Sequence, residues 1–172
     1  HLDANQAWSF EEALAFGQAV GCAAVNYIEE PFRDIRRIPE FYEETMIPVA
    51  LDESVERCSF EDIRSISGVE TLVLKPTLLG GMDKARRLMH QAQQMAMSAV
   101  ISSSFESSLG VWMLAHLAAV SNHHVVAGLD TLKWFTDDIL KEPLAVRRGA
   151  LPINGRSITS DDINFELLQK LT

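Results

Sequence analysis

Thr71-Leu72-Val73-Leu74-Lys75-Pro76, read TLVLKP, sets three aliphatic residues against a lysine and a proline. A short apolar run rich in β-formers reads as a buried strand. A lysine at its end is costly, because desolvation disfavours the charged ammonium and lysines are almost never fully buried unpaired. Lys75 therefore needs a partner, and the neighbouring segments indicate what it faces.

The chain on either side repeats the arrangement. Upstream, Val25-Asn26-Tyr27-Ile28-Glu29 reads as a strand stopped by Pro31, and Val49-Ala50-Leu51-Asp52 as another. Downstream, Ala99-Val100-Ile101-Ser102 is a further strand and Val125-Val126-Ala127-Gly128 a last one. Helices fall between them. Ser9-Phe10-Glu11-Glu12 has capping-box form and starts a helix to about Gly21, and Pro39 suits the first turn of a short helix over 40–45. A weak helix covers 59–67, and Gly80-Gly81 precede a long amphipathic helix over 82–95. Ser103-Ser104-Phe105-Glu106, again of capping-box form, opens a helix to about Val120. After Asp130 the pattern blurs into Trp134-Phe135, a short helix near 137–140 and a polar tail.

Alternating strands and helices with short connections imply parallel strands joined by right-handed crossovers. Such a sheet is either open and doubly wound or curled into a (β/α) barrel. No GxGxxG fingerprint follows any strand, which removes support from a dinucleotide-binding sheet. Each strand instead ends in a group suited to chemistry: Asp3, Glu29, Asp52, Lys75 and Ser102, at intervals of 26, 23, 23 and 27 residues. Barrels build their active sites at the C-terminal ends of their strands. The expected class is α/β, a TIM-like barrel.

Strand alternation then sorts the side chains. Ile28, Val49, Leu51, Leu72 and Leu74 fall on the outward face, under helices. Glu29, Asp52 and Lys75 fall inward, so Glu29 rather than Glu30 points into the mouth. Three carboxylates there would repel one another unless a cation sat among them, and hard oxygen donors suit Mg²⁺. The plainer alternative is three solvated strand-end acids.

Composition bounds the function. A chain of 172 residues, 47% hydrophobic, can bury one sizeable core. A net charge of −9 argues against non-specific binding to nucleic acid. No run approaches the roughly 18 apolar residues of a membrane helix, and no signal peptide is visible. Cys22 and Cys58 lack metal spacing and read as two buried thiols, with one disulfide as the alternative. Met89, Met95 and Met97 read as packing residues, His90 and His116 as structural or exposed, and His123-His124 as surface residues. Trp134-Phe135 is expected to pack on the barrel base or on a neighbouring part.

Asp3-Ala4-Asn5 (DAN), Glu29-Glu30-Pro31 (EEP), Asp52-Glu53-Ser54 (DES) and Lys75-Pro76 (KP) resemble, in order and spacing, the successive motifs of the enolase superfamily barrel. KPTLLGG from Lys75, ISSSFESSLG from Ile101 and Gly128-Leu129-Asp130-Thr131 (GLDT) resemble its o-succinylbenzoate synthase branch, the dehydratases of menaquinone biosynthesis. The resemblance runs from His1 to about Thr131 and is loose beyond. It implies two parts, residues 1–131 as the C-terminal portion of the barrel from the end of its third strand, and 132–172 as a tail packed on the barrel or on a capping domain.

What the resemblance implies goes further. Asp3, Glu29 and Asp52 fall on the positions that bind one Mg²⁺, with Asn5 and Glu53 in support. The metal would grip the carboxylate of a small-molecule substrate, a hydroxy-cyclohexadiene carboxylate, and stabilise the enediolate of a syn-dehydration. A lysine of a KxK motif on an earlier strand removes the proton, and Lys75 stabilises the anion from the opposite side. Ser102, Ser103 and Gly128 hold the succinyl carboxylate or its surroundings, aided by the helix N-terminus expected at Ser103. The KxK lysines, the first strands and the capping domain would precede His1, so the chain alone is expected to be inactive. The implied setting is the cytoplasm, with neither nucleic acid nor membrane as partner. Two other readings stay open: an N-succinylamino acid racemase or dipeptide epimerase, although GLDT lacks the paired acids expected to hold a substrate ammonium, and a non-catalytic metal-binding fragment.

Overall fold

A computed structural model of the chain describes residues 1–121, 125–153, 155 and 157–168. Its centre is a five-stranded sheet of β1 (Leu2–Asp3), β2 (Ile28–Glu29), β3 (Val49–Leu51), β4 (Val69–Leu74) and β5 (Ser98–Ile101). Every pair is parallel, and the strands neighbour one another in sequence order. Helices α1 (Phe10–Val20), α2 (Ile38–Thr45), the short α3 (Glu53–Arg57) and α4 (Phe60–Arg64), then α5 (Pro76–Leu79) and α6 (Met82–Gln94), fill the connections. A doubly wound sheet reverses its strand order at a switch point. This one does not reverse, and it is an arc of a (β/α) barrel.

The core explains why these residues take these places. Ile28, Val49, Leu51, Leu72, Leu74 and Ile101 share one face and are buried beneath Phe41, Ile63, Ala85 and Leu88 of the helices. The opposite face carries the residues between them: Ala50, Val73 and Val100, with Tyr27 and Val125 packed against them. Strands covered on both faces read as continuous apolar runs, which is why TLVL is not alternately polar. Fully burying one such aliphatic side chain stabilises the fold by about 1.5–3 kcal/mol.

Local signals account for the helix ends. The Ser9 hydroxyl accepts the Glu12 amide and the Glu12 carboxylate accepts the Ser9 amide, the reciprocal pair read from the sequence. Pro39 lies in the first turn of α2, and the helix stops at Met46 in a left-handed conformation. α1 and α2 approach closely at Gly17, where a Cβ would stand 2.7 Å from Thr45 Cγ2.

Three local expectations are corrected. The helix after β5 is α7 (Ser108–Ala119), which starts at Ser107 rather than Ser103. The acid that would complete a capping box, Glu106, is taken by the Thr77 hydroxyl and the Ser104 amide. The Ser103 hydroxyl is engaged with Gly128 and Thr131, and Phe105 turns left-handed at φ +61°. Residues 125–128 form no strand; only Gly128 bridges, in parallel, to Ser102. Nor does a helix form over 137–140. The Asp138 carboxylate accepts the Ser108 amide at the start of α7 and the Leu140 amide, while Leu140 bridges antiparallel to Ile163.

Both cysteines are free, and Cys22 is exposed rather than buried. Met89 and Met97 pack against the core, but Met95 is exposed. His116 lies edge-on to Trp112. Trp134 is largely exposed and Phe135 stacks edge-on against Phe105 instead of packing into the core. His123 and His124 lie outside the described residues. Among the described residues no helix is long and apolar enough to cross a membrane.

Candidate active site

The inward face ends in a concave cleft of about 790 Å³, lined by Asp3, Glu29, Lys75, Ser102, Ser103 and Gly128 among others. Strand geometry puts them there. Two residues before each functional group lies a residue of the inner apolar layer: Tyr27 before Glu29, Ala50 before Asp52, Val73 before Lys75 and Val100 before Ser102. A period of two keeps each pair on one face. Asp3 stands beside Glu29 in the sheet register.

Lys75 has the partner its position demands: its Nζ donates to Oδ2 of Asp52, the residue that ends the neighbouring strand. Both are largely buried, so the pair is poorly screened. Among the described residues no three His, Cys, Asp or Glu side chains stand close enough together to hold an ion as they are. One arm of the acidic set is instead engaged by the lysine.

The electrostatics bear on a cation nevertheless. Burial, then the charges of Asp3 and Asp52, push the Glu29 carboxyl up to about 8, against the opposing effect of Lys75. Burial also raises Asp52, with Lys75 working the other way, and burial raises Glu53. Burial works to lower Lys75, but hydrogen bonding and charge from Asp52, then the charges of Glu53 and Glu29, outweigh it and leave its pKa above the ordinary lysine value. A carboxyl raised by burial and by the charges of neighbouring acids, as Glu29 is, belongs to a donor set short of positive charge. The set's all-oxygen chemistry fits a hard divalent cation.

The other expected site residues are placed as follows. Asn5 meets Asp3 through its backbone, its amide donating to Oδ1 at 2.9 Å. Glu53 starts α3 with Oε2 buried and unpartnered. The Ser102 and Ser103 hydroxyls both donate to the Gly128 carbonyl, at 3.3 and 3.1 Å. No helix N-terminus lies behind Ser103, so the anion-binding help expected from one is absent there. Gly128 has a steric reason to be glycine: a Cβ would stand 2.7 Å from Ser102 Oγ.

Sequence reasoning missed Glu30, which is 1% exposed beneath the acidic set, and its partners Gln6 and Ser54. It also missed the Thr77–Glu106 bond, which ties the turn after Lys75 to the loop after β5. A signal for Glu30 was available, because alternation turns an acid away from the cleft toward the core, where it must be satisfied.

Residues 1–157 match the family model described as Enolase C-terminal domain-like. The chain is 42% identical over 134 residues to an o-succinylbenzoate synthase of Yersinia pseudotuberculosis (strain IP 31758), an alignment covering 76% of this chain and 41% of that protein. It thus spans about two fifths of the length of the curated relatives it matches. Among solved structures it resembles MenC from Desulfotalea psychrophila LSv54, at 27% identity and a TM-score of 0.75, over 87% of this chain and 43% of that one. It also resembles a dipeptide epimerase from Cytophaga hutchinsonii, solved with Mg and D-Ala-L-Val, at 28% identity and a TM-score of 0.77, over 88% and 42% of the two chains.

Proposed function

The chain belongs to the enolase C-terminal domain-like family, and on that premise we propose that it carries the metal-binding and lysine-bearing half of an o-succinylbenzoate synthase active site. The observation that carries this reading is the convergence of Asp3, Glu29, Asp52 and Lys75 on one inner face, at the ends of successive strands. The 42% identity to the Yersinia synthase supports the choice of reaction.

Asp3, Glu29 and Asp52 would hold one Mg²⁺. When bound, the ion supplies positive charge that acidifies the carbon next to a substrate carboxylate. The chain's own residues do the rest of their share by position. Lys75 holds a fixed ammonium over the cleft, bonded to Asp52 of the acidic set, and stabilises negative charge that develops on the substrate. A lysine held by a buried partner is already oriented before substrate arrives, so little reorganisation is needed. Ser102 and Ser103 face the same cleft from β5 and its loop. Their hydroxyls rotate from the Gly128 carbonyl to donate to the distal carboxylate of the substrate. The base that removes the proton, and the cap that closes the site, belong to the remaining part of the enzyme.

The reaction is then the Mg²⁺-dependent syn-dehydration of a hydroxy-cyclohexadiene carboxylate in menaquinone biosynthesis. Likeness to the epimerase keeps one competitor, an N-succinylamino acid racemase or dipeptide epimerase using the same scaffold. Assay of the full-length protein separates them. Loss of the diene substrate with Mg²⁺ supports the dehydratase. Solvent-deuterium incorporation at the α-carbon of N-succinylamino acids or dipeptides, with no dehydration, would replace it.

A further inference from the structure

We propose that Glu30, which faces away from the cleft, is the positioning residue of the acidic site: its side chain and backbone lock together the ends of β1, β2 and β3, which carry Asp3, Glu29 and Asp52. The inference rests on the metal-site reading above and extends it to a residue that touches no substrate.

Glu30 is 1% exposed and its carboxylate accepts from four neutral donors. Oε1 takes the backbone amides of Asp52 at 3.0 Å and Ser54 at 2.7 Å. Oε2 takes the Ser54 hydroxyl at 3.0 Å and the Gln6 side-chain amide at 2.8 Å. Its backbone repeats the pattern, the Gln6 amide donating to its carbonyl and its own amide to the Ala50 carbonyl. One residue thus binds the turn after Asp3 on one side and the turn at Asp52 on the other, while being covalently joined to Glu29.

The backbone is strained to achieve this. Glu30 sits at φ +41°, and Asn5 and Gln6 of the facing turn at φ +47° and +58°. Non-glycine residues in this region cost energy and persist only where surrounding bonds over-determine them. The left-handed turn at Glu30 ends the strand alternation directly after Glu29. A buried carboxylate with four donors, three of them from the partner turns' amides, is the over-determining element. An ion binds tightly only if its ligands are held in place, and groups behind the ligands typically govern affinity.

The test is a Mg²⁺ titration by calorimetry on the full-length protein, well below its melting temperature, with amide hydrogen exchange on the same samples. Glu30→Gln keeps the shape but removes the charge and turns one accepting oxygen into a donor nitrogen, so that Gln6 and Ser54 must reorient to meet it, and it is expected to weaken Mg²⁺ binding by about 10–100-fold. The exchanged pair Gln6→Glu/Glu30→Gln restores a donor facing an acceptor and is expected to recover affinity to within about threefold of the parent. The Asp52 and Ser54 amides, protected in the parent, should exchange faster in Glu30→Ala; should that variant fail to fold, Glu30→Gln carries the test. Mg²⁺ affinity unchanged in Glu30→Gln would overturn the proposal, as would failure of the exchanged pair to recover it. A parent protein that binds no Mg²⁺ would overturn the metal reading, and with it the positioning role. Amide protection lost on substitution would in that case still support Glu30 as the clamp between the turns, and unprotected Asp52 and Ser54 amides in the parent would overturn that as well.

Discussion

The Lys75 ammonium donates to the Asp52 carboxylate across the ends of the adjacent strands β3 and β4. The contact gives the lysine at the end of a core strand its reason. Asp52 also donates, through its backbone amide, to the carboxylate of Glu30 behind the sheet. Asp52 is therefore gripped from both faces, and the consequences can be measured.

Lys75→Ala should lower kcat of the full-length enzyme by about 10²–10³-fold, the usual cost of removing one preorganised charge at developing negative charge. Lys75→Arg should not restore the rate fully, because a planar guanidinium cannot replace a point ammonium in the same geometry. Steady-state kinetics on the three proteins check this, with KM expected to move less than kcat.

The Glu29 carboxyl, raised from 4.5 to about 8, fixes a pH dependence for metal-free protein. Its folded pKa lies above its unfolded one, so between those values the folded state holds more proton than the unfolded. Stability from this group is therefore present at low pH and is lost as pH rises through about 8. In chelator, the melting temperature of the parent minus that of Glu29→Gln should fall between pH 5 and pH 8. A difference that is flat or rises would contradict the electrostatics of the cleft.

Gly128→Ala places a Cβ against Ser102 Oγ, where only 2.7 Å is available. The hydroxyl can swing away at modest cost, but it then no longer stands where it can turn from the Gly128 carbonyl to the substrate's distal carboxylate. The expected outcome is a KM raised by about tenfold, equivalent to about 1.4 kcal/mol. Combining it with Ser102→Ala removes the clash, so the double variant should be no worse than Ser102→Ala alone.

Leu72 lies wholly buried in the centre of β4, between β3 and β5. Leu72→Ala should destabilise the fold by about 2–5 kcal/mol, measured by denaturant unfolding, the range for deleting a core leucine. A loss below about 1 kcal/mol would mean that the outward face is not the packed one.

Much of this was legible in the residues, and the failures have physical causes. The inward placement of Glu29, Asp52 and Lys75 followed from the period of two along each strand. The Ser9–Glu12 cap was equally local and formed as read. The same pattern at Ser103–Glu106 failed because its acid had a better use, binding Thr77 29 residues away. No window of sequence contains that competition. Alternation hinted that Glu30 turns toward the core, but its partners were hidden for a related reason: its four donors come from two other strand ends, so its function exists only once the sheet is assembled.

The central claim is that Asp3, Glu29 and Asp52 form one metal centre facing Lys75, and a calorimetric Mg²⁺ titration of the full-length protein tests it most directly. The parent should bind one ion, and Asp3→Asn, Glu29→Gln and Asp52→Asn should each weaken it by at least about 100-fold, beyond the effect of groups behind the ligands. Binding that survives all three substitutions within about twofold, or a folded parent that binds no Mg²⁺, would contradict the account.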